Sequence, residues 1–87
     1  SFLLAQNYPN PFNPATTIKF SVAENIPALI KVYDVIGNEV VTLFNETAQA
    51  GRIYEVIFNG SEYSSGIYFY SISTGKFNAV KKMTLIK

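Results

Sequence analysis

Eighty-seven residues allow one small core, since single domains typically occupy about 50 to 200 residues. With 48% hydrophobic, 15% aromatic and 15% charged residues, the chain is too apolar for a disordered tail, and its net charge of +1 creates no field that would select nucleic acid or an anionic membrane. It has no Cys and no His, which excludes disulfides, thiolate nucleophiles, Ser-His and Cys-His pairs and most zinc or copper sites.

The first fourteen residues read as an extended strap with a first strand. In Asn7-Tyr8-Pro9-Asn10-Pro11-Phe12-Asn13-Pro14, each Pro fixes its own φ, lacks a donor and pushes the residue before it toward extended geometry, while the Asn side chains can bond backbone groups that have no ladder partner. Tyr8 and Phe12 are expected to pin this strap to a sheet edge, which it would blunt against foreign pairing. Residues 15–22 alternate, with Ile18, Phe20 and Val22 opposite Thr17, Lys19 and Ser21, the period-two signature of a half-buried strand. Residues 28–35 form the next strand, with Ile30 and Val32 toward the core. Ile36-Gly37-Asn38 is a tight turn, where the Asp34 carboxylate can accept turn amides, and residues 39–44 return as the hairpin partner.

Residues 45–51 are small and polar and read as a loop, because one helical turn over 46–50 is too short to stand alone. Residues 52–58 alternate again, with Tyr54, Val56 and Phe58 on one face and Ile53, Glu55 and Ile57 on the other. A connection over 60–65 leads to a strand at 66–73, where Tyr68, Tyr70 and Ile72 alternate with Ile67, Phe69 and Ser71. Thr74-Gly75-Lys76 turns the chain into a last strand, 77–86. No stretch carries helical periodicity over three turns, and the longest apolar runs are far short of a transmembrane span. The expected fold is all-β, an immunoglobulin-like antiparallel sandwich of about seven strands in two sheets.

Chemistry-bearing constellations are sparse. The acids Glu24, Asp34, Glu39, Glu46, Glu55 and Glu62 are spread singly, without calcium-loop spacing, and the glycines are isolated, so no metal, phosphate or dinucleotide motif is present and no cofactor is expected. Thirteen Phe and Tyr residues leave open a carbohydrate-binding module, with Tyr33, Tyr63 and Phe69 as its best stacking faces. Residues 77–87 place Lys81-Lys82 inside an apolar strand ending at Lys87, which suits either lysine protection of an edge or docking by strand addition. Such an edge could also support weak self-association.

Five motifs taken together resemble a known family. Leu4-Ala5-Gln6 followed by the Asn/Pro run, Thr16-Thr17-Ile18-Lys19-Phe20, Val32-Tyr33-Asp34-Val35-Ile36-Gly37, Ser65-Gly66-Ile67-Tyr68-Phe69-Tyr70 and Lys81-Lys82-Met83 look like the type A C-terminal sorting domain of the type IX (Por) secretion system. The strap and the V-Y-D-x-x-G hairpin are also similar to the immunoglobulin-like domain of flagellar hook-capping proteins, a relative that would serve as a passive spacer. The sorting resemblance covers essentially the whole chain as one domain, 1–87. It implies a non-catalytic domain at the end of a secreted cargo protein of Bacteroidetes or related bacteria, carried through the periplasm to the outer-membrane surface or beyond. Its implied partners are an outer-membrane translocon and a sortase-like peptidase. Gly66 and Tyr68 match the family's G-x-Y element, and Lys81, Lys82, Met83, Leu85, Ile86 and Lys87 its terminal recognition strand.

Overall fold

The computed structural model describes residues 2–87. Seven strands follow one another: β1 (Leu3–Leu4), β2 (Ala15–Ser21), β3 (Ile26–Tyr33), β4 (Glu39–Ala48), β5 (Tyr54–Asn59), β6 (Gly66–Thr74) and β7 (Asn78–Leu85). They form two antiparallel sheets, ordered β1-β2-β5 and β4-β3-β6-β7, in an immunoglobulin-like sandwich. Among the described residues no helix is long and apolar enough to cross a membrane.

The alternation that defines each strand also supplies the core. β2 turns Ile18 and Phe20 inward, β3 turns Ile30 and Val32, and β6 turns Tyr70 and Ile72, all with no exposed surface. Phe20 pairs in register with Tyr54 and stacks on it, centroids 5.1 Å apart, while Phe44 meets both rings edge-on. At the other end Phe12 packs edge-on against Phe58 at 5.9 Å. Offset and edge-to-face pairs of this kind add about 0.5–1.5 kcal/mol each beyond their buried area.

Several boundaries differ from the sequence expectation, most by a residue or two. Residues 45–48, expected to be loop, continue β4, because β3 begins at Ile26, before the expected residue 28, and supplies partners: Asn45 lies opposite Leu29, Glu46 opposite Ala28, and Ala48 opposite Ile26. Ala48 is completely buried there. β3 ends at Tyr33, where Asp34 takes over the turn, and β5 starts at Tyr54, after a turn closed by an Arg52 N–H bond to the Gln49 carbonyl.

Candidate recognition surface

The strap is where the two sheets are joined. The Tyr8 N–H and carbonyl both pair with Thr17 of β2, whereas Phe12 bridges Leu85 of β7 in parallel register: the Phe12 N–H donates to the Thr84 carbonyl and the Ile86 N–H donates to the Phe12 carbonyl, each at 2.9 Å. The chain thus crosses from the edge of one sheet to the edge of the other within five residues. Side chains complete the seam, with Gln6 Nε2 donating to the Lys82 carbonyl at 2.8 Å and the Thr84 N–H donating to Asn10 Oδ1 at 3.0 Å.

Asn7 holds the middle of this strap. It is buried, and its Nδ2 donates to Thr16 Oγ1 and to the Pro9 carbonyl, while Thr16 Oγ1 itself donates to Pro9. The Asn7 N–H donates to the Tyr70 hydroxyl at 2.8 Å, and that hydroxyl donates onward to the Ala5 carbonyl at 2.7 Å. Burial pushes the Tyr70 pKa up to about 12. The expectation for Tyr8 needs correction: Phe12 is buried, but the Tyr8 ring is 81% exposed, so Tyr8 is fixed through its backbone and the side-chain pin is Asn7. Pro9, Pro11, Asn13 and Pro14 lie exposed along the outside of the strap.

Gly66 opens β6 opposite Leu85 with φ +146°, a conformation that favours glycine. Two residues on, Tyr68 lies opposite Met83 and donates its hydroxyl to the Ser64 carbonyl at 2.7 Å; burial is the main cause that raises its pKa. Beside this start of β6, just past the C-terminal end of β3, Asp34 Oδ1 accepts the Ile36 and Asn38 amides, and Gly37, at φ +92°, donates to the Asp34 carbonyl.

The last strand divides by face. Met83 and Leu85 have no exposed surface and belong to the core. Lys81 lies opposite Tyr70 and is half-buried, whereas Lys82, on the other face opposite Phe69, is exposed, as are Ile86 and Lys87. Lys87 Nζ donates to the Ser61 carbonyl at 2.8 Å. Leu85 fits against Gly60 so closely that a Cβ there would come 2.8 Å from Leu85 Cδ2 and 3.2 Å from the Pro14 carbonyl, so a side chain at this position has to displace Leu85. The folded strand and the two residues after it can therefore be contacted by another protein through Val80, Lys82, Ile86 and Lys87, and through backbone, but not through Met83 or Leu85.

The remaining candidates are dispersed. Tyr33 and Phe69 are neighbours in register on the outer face of the four-stranded sheet and half-exposed, while Tyr63 stacks on Phe58 at 5.6 Å, packed against the core. Four carboxylates are engaged in surface structure: Asp34 in its turn, Glu24 with Lys76, Glu55 with Lys19, and Glu39 with Lys31 at 2.9 Å. Hydrogen bonds from Lys31 and then Thr42 lower the Glu39 pKa, and Glu39 in turn raises that of Lys31. Among the described residues no three His, Cys, Asp or Glu side chains converge as metal ligands would. Sequence reading missed Tyr70 and Gly60 as parts of this surface. An inward-facing Tyr in mid-strand was a usable signal, because its hydroxyl needs a buried partner. Gly60 gave none, since its constraint is a contact 25 residues away.

A small immunoglobulin-like module with one sheet edge sealed by its own strap is the class this fold defines. A family model described as the secretion system C-terminal sorting domain matches residues 6–87, and the chain belongs to that family. No curated protein matches it. Domains of this family are non-catalytic sorting signals of type IX secretion, and they mark proteins exported to the cell surface or the extracellular space.

Proposed function

We propose that this domain follows a cargo protein as its terminal address, that the outer-membrane translocon reads it in the folded state, and that a sortase-like peptidase then separates it from the cargo. Contact is made through Lys82, Ile86 and Lys87, with Lys81 at their border. Met83, Leu85, Gly66 and Tyr68 act indirectly, by holding β7 straight against β6 and the strap. The observation that carries this reading is the division of residues 82–87 into a wholly buried pair, Met83 and Leu85, and an exposed basic and apolar set, in a chain that matches the sorting family.

The reading separates recognition from folding. Reversing two exposed charges, Lys82→Glu with Lys87→Glu, should change stability by no more than about 0.5 kcal/mol each. In a type IX-competent bacterium carrying a reporter fused ahead of the domain, this double variant should melt like the parent in vitro yet leave the reporter in the periplasm. Surface display at the parental level by a variant of unchanged melting would reject the reading.

A further inference from the structure

Four strands end the two sheets, and three of them carry a device that discourages pairing with a foreign strand. β1 is only two residues long; β4 is interrupted by two register shifts; β7 is roofed by the strap from Lys82 onward and exposes the Lys82 side chain on its outer face. β5 has none of these. It pairs with β2 through six unbroken register steps and contains no Pro or Lys.

The direction of its backbone groups follows from one bond. The Gly60 N–H donates to the Pro14 carbonyl at 2.7 Å, one step beyond the Ala15 and Asn59 partnership, so the even-numbered residues of β5 turn their N–H and C=O toward β2. Glu55, Ile57 and Asn59 turn theirs to the open edge. The same positions point their side chains away from the core: Ile57 and the preceding Ile53 are each 65% exposed, with the Glu55 side chain 59% exposed between them.

We propose that the β5 edge accepts an extended peptide strand whose outward residues read apolar, basic, apolar, adding a fourth strand to the three-stranded sheet. β2 already shows the charge part of this match on its own side, where Lys19 lies opposite Glu55 with Nζ 3.9 Å from the carboxylate. A strand on the open side meets the same Glu55 and the same flanking isoleucines, and cross-strand pairs of opposite charge and of apolar residues are what stabilise such an addition. A second copy of this chain offers Glu55 no cation: an antiparallel β5 pair centred on Glu55 sets Glu55 against Glu55, and one centred on Ile57 sets it against Asn59. This inference stands on the edge itself and is independent of the sorting reading.

The probe is the heptapeptide Thr-Val-Thr-Lys-Thr-Val-Thr, with Thr-Val-Thr-Glu-Thr-Val-Thr as its control, each at millimolar concentration against the full isotope-labelled chain. Amide hydrogen exchange of Glu55, Ile57 and Asn59 should slow by about tenfold or more with the lysine peptide and stay unchanged with the glutamate peptide. Glu55→Lys, an exposed substitution, should invert that preference, and Ile57→Lys should abolish protection by the lysine peptide. No protection by either peptide, equal protection by both, or protection that grows with protein concentration alone, which marks a second copy as occupant, would each overturn the proposal.

Discussion

Tyr70 shows how much one side chain can fix. Its ring fills the core with no exposed surface, and its hydroxyl accepts from Asn7 and donates to Ala5, so one residue of β6 ties down both ends of the strap's first half. The pKa of about 12 lies above the ordinary tyrosine value near 10, which means the unfolded chain releases this proton first. The stabilisation is therefore fully present below about pH 10 and is lost as pH rises toward 12, by on the order of 2 kcal/mol. Tyr70→Phe should be less stable than the parent at neutral pH by about 1–3 kcal/mol, having left Asn7 and Ala5 unpaired. Urea unfolding at intervals from pH 7 to 12 should show the two stabilities converging above pH 10, and a constant gap across that range would contradict the assignment. Glu39 behaves oppositely and at the surface: its lowered pKa gives a contribution present above the usual carboxylate range and lost as pH falls through its folded value, and it is small because the pair is solvated.

At the scale of elements, the strap and β7 act as one unit. The strap has too few amides to form a ladder, but the Gln6 and Asn10 side chains with the Phe12 amide and carbonyl are enough to occupy the edge of the last strand at Lys82, Thr84 and Ile86. Phe12 anchors that contact in the core beside Phe58. Phe12→Ala should cost about 3–5 kcal/mol and let the strap lift, so the Ile86 amide should exchange faster by a larger factor than the Ile18 amide in the middle of β2. If both accelerate equally, the strap has no separate opening and the change is global only. The strands themselves were largely readable from the alternation of Ile18 with Lys19 or Tyr70 with Phe69. Residues 45–48 were not, because Asn45, Glu46 and Thr47 have no apolar rhythm and become strand only by lying opposite Leu29, Ala28 and Pro27. Tyr8 misled for a related reason: its type suggests an anchor, whereas which side of the strap faces the core depends on where β2 lies.

For the molecule as a whole, early and late segments of the chain close the same seam. Met83 and Leu85 lie in the core between the sheets and beneath the strap, so deleting residues 83–87 removes two wholly buried side chains together with the partner of Phe12. Each such side chain is worth about 2–5 kcal/mol by truncation, comparable to the whole stability of a small domain. The deletion should lose the cooperative thermal transition in near-ultraviolet circular dichroism, and a sharp transition retained near the parental temperature would show that the last strand is dispensable to the fold. Loss of sorting in that deletion would accordingly report unfolding, which is why charge reversal of Lys82 and Lys87 is the cleaner probe of recognition. By itself the sequence determined the all-strand class, the turn at Asp34 and Gly37, the special character of the Asn/Pro run and the family resemblance, because each is written in neighbouring residues through period two, fixed φ or a contiguous motif. Long-range pairing alone puts Met83 and Leu85 in the core while Lys82 and Ile86 face solvent, lets the Tyr70 hydroxyl seal the strap, and leaves β5 as an edge strand with unbroken register. Those outcomes depend on which strands become neighbours across long stretches of chain, and period two fixes that alternate residues part company without saying which set meets the core.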